Sequence, residues 1–221
     1  RTYQFSPEET WEGAASRVAK VIATNEKQEK AFFEIIRDRI FIPGGRYLYS
    51  AGRPKGYFQN CYAFSGEDSR ESWANLLRDV TLCLSTGGGL GVNYSNIRGE
   101  GNLIQSTGGI ASGPLALMQM VNEVARHVMS GGARRSALWA GLDWRHPDVE
   151  KFIAIKQWND DFKEMKRKHF EYPAPLDMTN VSVLIDEEYF EQLTDPNSRA
   201  SQLHKLICSC MAETGEPGFA N

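Results

Sequence analysis

Glycine sets the strongest limit on what this chain can fold into. It supplies 20 of the 221 residues, and three clusters stand out: Gly87-Gly88-Gly89 with Gly91, Gly108-Gly109, and Gly131-Gly132. Such a cluster breaks a helix and strips side-chain cover from the backbone. It therefore makes tight turns with positive φ, or a backbone surface that a ligand can approach closely. Around the clusters the chain returns to regular patterns. Ser69–Leu84 places Trp73, Leu76, Leu77, Val80 and Leu84 on one helical side, and residues 114–129 do the same with Leu115, Met118, Val121, Val124, Ala125 and Val128. Tyr57–Phe64, Ser136–Leu142 and Asn180–Ile185 read as strands, the first of them buried. Ser112-Gly113-Pro114 starts the second helix, His146-Pro147-Asp148 caps a helix over 147–157, and 198–213 is a last helix. Strands alternating with helices predict an α/β fold.

Upstream, Ser6 can cap a helix with Pro7 in its first turn and Glu9 completing a capping box; Trp11, Ala14, Ala15, Val18, Ala19 and Ile22 continue it. A second helix is expected over 26–40, ended by Pro43-Gly44-Gly45. Residues 1–42 thus form a helical segment ahead of an α/β part over 43–221, and the polar stretch 159–175 is expected to be a surface excursion. Lys and Arg number 25 against 28 Asp and Glu, a net charge of −3, so no basic field exists to hold a nucleic acid. No apolar run approaches the ~18 residues that span a membrane, and the polar first residues are unlike a signal peptide. A cytoplasmic protein with neither a membrane nor a nucleic acid as partner is expected. The chain opens on Arg1 and closes on a turn, Gly215-Glu216-Pro217-Gly218, followed by Phe219, so it reads as a piece of something longer.

The chemistry-bearing residues each have two readings. The run at 87–91 is not a dinucleotide fingerprint, since it follows a helix and lacks G-x-G-x-x-G, and no P-loop lysine follows. It is a tight turn, or one wall of a backbone-lined cavity to which the other clusters converge. Arg134-Arg135 beside Gly131-Gly132 is either an anion- or base-reading loop or a solvated pair. Cys61 in an aromatic strand reads as an inert buried thiol, and Cys83 as core. Cys208 and Cys210, two apart on a helix, cannot bridge one another. His127, His146, His169 and His204 are scattered and no protein metal site is expected. The basic run Glu164–His169 reads as a solvated loop, while Glu67 and Asp68 suit the positive end of the helix at 69.

Taken in order, Phe41-Ile42-Pro43-Gly44-Gly45-Arg46, Asn60-Cys61-Tyr62, the stretch Ser85–Arg98, Ser112-Gly113-Pro114, Gly131–Ala137, His146–Ile153, Asn180-Val181-Ser182-Val183 and Gly215-Glu216-Pro217-Gly218 resemble the large catalytic subunit of ribonucleotide reductases. The resemblance implies an N-terminal helical cap and the first half of a ten-stranded α/β barrel. It implies radical removal of the ribose 2′-hydroxyl, with Cys61 as one of the reducing thiols, against the inert reading above. Asn60 would neighbour the ribonucleotide substrate, and Gly88 and Gly89 would pack against its ribose. Asp68 and Arg98 would hold a deoxynucleotide effector, by ribose and phosphate respectively, within the loop 99–109. The loop with Gly132, Ala133 and Arg134 would relay the effector's identity to the substrate base.

The family's finger-loop cysteine, second reducing cysteine and C-terminal phosphate motif do not occur among these residues, and neither Cys208 nor Cys210 stands in for them. The implied partners are the missing C-terminal half or a complementary chain, a thioredoxin-like reductant and a second copy in a homodimer. The wording of the motifs favours the adenosylcobalamin-dependent group, with a radical-generating partner subunit as the alternative. The competing function is a nucleotide-binding regulatory or assembly module derived from the same barrel without catalysis.

Overall fold

The structure, a computed structural model, describes residues 3–128 and 137–221. It divides into two units, one ending at Asn60 and one running from Cys61 to Asn221. In the first, α1 (Trp11–Ile22), α2 (Glu26–Arg37) and α3 (Gly45–Ser50) enclose a small core of Ala15, Val18, Ile36, Leu48 and Ala51. Helix α1 begins four residues later than the Ser6 cap predicts. Thr10 is its cap, accepting from the Gly13 amide at 3.1 Å. Glu9 does not complete a capping box: it accepts from the Phe5 amide at 2.7 Å and from Arg17 Nε and Nη2 at 2.7 and 2.9 Å. Arg17 also donates to the carbonyls of Leu48 and Ala51, so this ion pair ties the N-terminal segment to α1 and α3. Helix α2 stops at Arg37, short of the expected residue 40, because Arg39 adopts φ 59°, outside the helical region. Helix α3 follows directly on Pro43-Gly44, with Gly44 at its N-cap.

The second unit runs β1 (Cys61–Ser65), α4 (Arg70–Ser85), β2 (Gly89–Asn93), a hairpin of β3 (Leu103–Ile104) and β4 (Gly109–Ile110), α5 (Gly113–His127), β5 (Leu138–Asp143), α6 (Val149–Ile153), α7 (Asp160–Lys168), β6 (Thr179–Leu184), α8 (Glu187–Gln192), α9 (Arg199–Thr214) and β7 (Gly218–Ala220). Strands β1, β2, β5, β6 and β7 form one sheet in that order, every pair parallel. Parallel neighbours need long crossovers, and here each crossover carries one or two helices. The α/β expectation is met, and five parallel strands are half the number in the implied barrel.

Strand alternation sorts the sheet into two faces. On one, Leu90, Val92, Ala140, Leu142, Val181 and Val183 pack with Leu76, Val80 and Leu84 of α4, Leu117 and Val121 of α5, Phe152 of α6 and Leu203 and Ile207 of α9. Burying each of the larger of these side chains contributes about 1.5–3 kcal/mol. The opposite face carries Cys61, Ala63, Gly89, Gly91, Trp139, Gly141, Asn180, Ser182 and Leu184, small or polar except for one indole and one leucine. Trp139 lies along this face, so close that a Cβ on Gly141 would sit 2.4 Å from its ring and one on Gly91 would sit 3.0 Å from it. Its Nε1 donates to Ser182 Oγ at 2.9 Å. Strand β1 is an edge of this sheet among the described residues. It is shorter than predicted and mostly exposed, which corrects the buried reading of Tyr57–Phe64.

Two further expectations change. The surface excursion at 159–175 contains α7, capped by Asn159 on the Phe162 amide at 2.9 Å. Its Lys166 enters an ion cluster with Asp177, whose side chain is 1% exposed, and Arg126 of α5. Asn122 completes the cluster, donating to Asp177 at 3.1 Å while its carbonyl accepts from the Met178 amide and the Thr179 hydroxyl, both at 2.9 Å. The cluster thereby joins α5, α7 and the start of β6. Burial opposes ionisation of Asp177, but the bonds from Arg126, Lys166 and Asn122 together outweigh it and hold the carboxyl below its ordinary value.

Replacing Asp177 by Ala leaves Arg126, 5% exposed, without its main counter-ion. Removing one partner of a buried pair costs about 3–5 kcal/mol, and urea unfolding at neutral pH measures the loss. The wild-type contribution is complete above the unfolded carboxylate value near pH ~4 and is lost as pH falls through the lower folded value. The difference between the two proteins therefore narrows only in acid.

Candidate functional site

Cys61 opens β1 on the uncovered face of the sheet, exposed, with Gly89 of β2 as its register partner. Asn60 precedes it and is exposed as well. Local sequence explains the placement. The helix α4 ends at Ser85, the glycine run turns the chain with Gly87 at φ 78°, and β2 then starts level with Cys61. Gly88 has a packing reason to lack a side chain, because a Cβ there would lie 2.8 Å from the Tyr62 ring and 3.0 Å from Cys83 Sγ. Gly89, the register partner of Cys61, has no side chain of its own to place beside the thiol. The other thiols divide by environment. Cys83 and Cys210 are buried and Cys208 is exposed on α9. Burial pushes the Cys210 thiol upward, away from thiolate.

Asp68 and Arg98, thirty residues apart, meet at a second place. Arg98 Nε donates to Asp68 Oδ2 at 2.5 Å and its Nη1 to the Leu103 carbonyl at 3.2 Å. They line a cavity of about 600 Å³. Its walls are the start of α4 from Asp68 to Trp73, Ile97 and Arg98, the hairpin residues Ile104, Ser106 and Thr107, and Ala111–Gly113 at the start of α5. Asp68 does not cap α4; Ser69 does, accepting from the Ser72 amide at 3.1 Å. Ser112 precedes α5, a 15-residue helix, without a side-chain cap bond, and Ala111–Gly113 at the helix's start line the cavity. Arg70 and Arg98 line it beside two helix starts, a combination suited to an anion, with the carboxylates of Asp68 and Glu71 in the same lining. Trp73 supplies an aromatic wall. Its helical spacing had placed it with the core, and only the position of Asp68 five residues earlier hinted at a site.

Gly132, Ala133 and Arg134 lie outside the described residues. Among the described residues no group of three or more His, Cys, Asp and Glu is gathered to hold a metal ion, and no helix is long and apolar enough to cross a membrane.

The ribonucleotide reductase barrel domain family matches residues 59–204. The vitamin B12-dependent ribonucleoside-diphosphate reductase of Mycobacterium tuberculosis is 28% identical over 98% of this chain and 33% of its own length. The corresponding Thermoplasma acidophilum protein is 29% identical over 80% of this chain and 22% of its own length. The ribonucleoside-diphosphate reductase large chain of Schizosaccharomyces pombe is 30% identical over 59% and 17%. The chain thus spans a third or less of these curated relatives. In fold it is similar to the class Id ribonucleotide reductase alpha subunit of Actinobacillus ureae, with a TM-score of 0.79 and 16% identity over 97% of this chain and 37% of that one. With its parallel sheet forming part of an α/β barrel, the chain belongs to the ribonucleotide reductase large-subunit family.

Proposed function

We propose that this chain is the N-terminal part of the barrel of a cytoplasmic ribonucleotide reductase, reducing ribonucleotides to deoxyribonucleotides, and that Cys61 is one of its two reducing thiols. The observation that carries the proposal is the exposed Cys61 thiol standing beside side-chain-free Gly89 on the uncovered face of a parallel sheet. Sheets of this kind are normally covered on both faces, so the uncovered one suits the interior of a larger barrel. Asn60 and the backbone at Gly88 and Gly89 would border the ribose. In the reaction, Cys61 gives its proton to the departing 2′-hydroxyl, which leaves as water. Its sulfur then joins a second thiol from the rest of the reductase in a disulfide. The two electrons released as that S–S bond forms, with the proton of the second thiol, put a hydrogen on C2′ in place of the lost hydroxyl, and a thioredoxin-like dithiol restores both thiols while its own sulfurs join in a disulfide.

The cavity at Asp68 and Arg98 supports a second assignment, a deoxynucleoside triphosphate effector. Arg98, Arg70 and the two helix N-termini would take its phosphates, Asp68 its ribose hydroxyl and Trp73 its base. Gly132, Ala133 and Arg134 would carry its identity to the substrate. Exposed Leu82 on α4 and Met120 on α5 support a homodimer through these helices. The names of the Mycobacterium and Thermoplasma relatives favour adenosylcobalamin over a radical-generating partner subunit. The described cavity does not fit that cofactor, since its hydroxyls, guanidinium groups and helix N-termini suit phosphate and ribose, not a corrin ring. The roles given to Cys61, Asn60, Asp68 and Arg98 are independent of the radical source.

The decisive experiment assays deoxyribonucleotide formation by the protein carrying this chain, with and without adenosylcobalamin. Cys61→Ser is expected to abolish turnover while leaving effector binding intact; turnover unchanged by the substitution would overturn the assignment. In the folded chain, an aromatic disulfide reagent should titrate Cys61 and Cys208 quickly and reach Cys83 and Cys210 only on unfolding. In a calorimetric titration with dTTP, Arg98→Ala should weaken binding about tenfold or more, the loss of a charge-assisted contact worth roughly 1.5–3 kcal/mol. Equal affinity in both proteins would remove the cavity from the effector role.

A further inference from the structure

Ile97 and Arg98 line the cavity and Gly99 and Glu100 follow them, all between β2 and β3, and three of the four are held by one turn. His146, Pro147 and Asp148 form that turn, between β5 and α6. His146 Nδ1 accepts from the Asp148 amide at 3.0 Å, which puts the imidazole proton on Nε2, and Nε2 donates to the Ile97 carbonyl at 2.7 Å. Pro147 lies against Gly99 so closely that a Cβ there would sit 2.6 Å from its Cγ. Asp148 Oδ2 accepts from the Glu100 amide at 2.8 Å. The same oxygen would stand 2.8 Å from a Cβ on Gly113, a residue at φ 75° that begins α5. Arg98 is the residue left over. Its side chain runs the other way, into the cavity, to Asp68 and the Leu103 carbonyl.

Asp148 also gives up its local role. It occupies the cap position of α6, where an aspartate ordinarily accepts from the helix's first amides, yet its side chain makes no cap bond. The carboxylate serves the distant loop instead, and both ends of the cavity's loop, Glu100 and Gly113, abut one oxygen. His146 and Asp148 are 7% and 6% exposed, so the clamp is built into the interior.

We infer that the His146-Pro147-Asp148 turn is a clamp that aims Arg98 into the cavity, and that Asp148 is a positioning residue for nucleotide phosphate binding there. The ligand class rests on the effector reading above; the clamp does not. Asp148→Ala is expected to weaken dTTP binding to the protein carrying this chain about tenfold. Asp148→Asn, which keeps a carbonyl oxygen for the Glu100 amide, should stay within about threefold of wild type. In an Arg98→Ala background, Asp148→Ala should cost little further, because its effect passes through Arg98. A general structural defect would instead add to the Arg98 loss, and that additivity would overturn the inference. Amide hydrogen exchange across 97–111 supplies the readout that needs no ligand. It should quicken in Asp148→Ala while β5 and β6 keep their protection. Should Asp148→Ala fail to fold, Gly99→Ala, which pushes Pro147 away, is expected to reproduce both the faster exchange and the weaker binding. If wild type binds no dTTP, the effector reading fails, and exchange alone decides the clamp: unchanged protection across 97–111 refutes it and faster exchange sustains it.

Discussion

Parallel pairing is the constraint from which the rest of this structure follows. Two parallel strands cannot be joined by a tight turn, so every connection must cross back over the sheet. In this chain all the crossovers bring helices whose apolar residues meet the same face, where Leu142, Val183, Phe152 and Ile207 are completely covered. The opposite face is then left to small residues. Glycines at 89, 91 and 141 line it, and Trp139 occupies the space that the last two leave free. A side chain at Gly141 would displace the indole from its bond to Ser182, so the glycine, the tryptophan and the serine are one packing unit.

Crossovers also decide where polar groups can be buried. The ion cluster of Arg126, Lys166 and Asp177 lies where α5, α7 and β6 approach one another, and Asn122 accepts from the Met178 amide just ahead of β6 and from the hydroxyl of its first residue, Thr179. A buried carboxylate of this kind is a liability unless several donors surround it. Here two cations and an amide do so, which is why its carboxyl stays ionised in a site that burial alone would make neutral.

Helices and strands were legible where periodicity is strong. The apolar spacing of α4, α5 and α9 located those helices within two residues. What failed were local signals overruled by distant partners. Ser6-Pro7-Glu8-Glu9 has the composition of a capping box, but Glu9 is claimed by Arg17. Asp148 looks like a cap and binds Glu100, 48 residues away in sequence. The polar segment around α7 carries no apolar stripe, yet Lys166 has a buried counter-ion that its own neighbourhood does not contain. For the site, Asp68 and Arg98 came from resemblance to a family, and geometry brings them together in one cavity. Trp73 and the turn at His146 were missed, because an aromatic on an apolar helix face and a capping turn both have adequate ordinary explanations.

The two proposed sites are joined by two neighbouring strands. Strand β2 begins at Gly89 beside Cys61, and the chain leaving its other end carries Ile97 and Arg98. Strand β5 pairs with β2 along its length and leads directly into the turn that clamps that same segment. At about 3.3 Å per residue, a five-residue strand such as β2 spans roughly 15 Å, short enough for a rigid element to transmit a shift from one end to the other. Hydrogen-bonded strands resist sliding past one another, so in the proposed reading a ligand that tightened the loop at Arg98 would act on the register that holds Gly89 against Cys61. Any such effect must be reciprocal: what binds near Cys61 has to alter affinity at Arg98 by the same factor. Helix α5 starts against Asp148, and β5 leads into the turn that carries it. The sheet edge that carries the thiol and the loop that carries the guanidinium are thus two ends of one hydrogen-bonded body, which in the proposed reading would act beside the relay assigned to Gly132, Ala133 and Arg134.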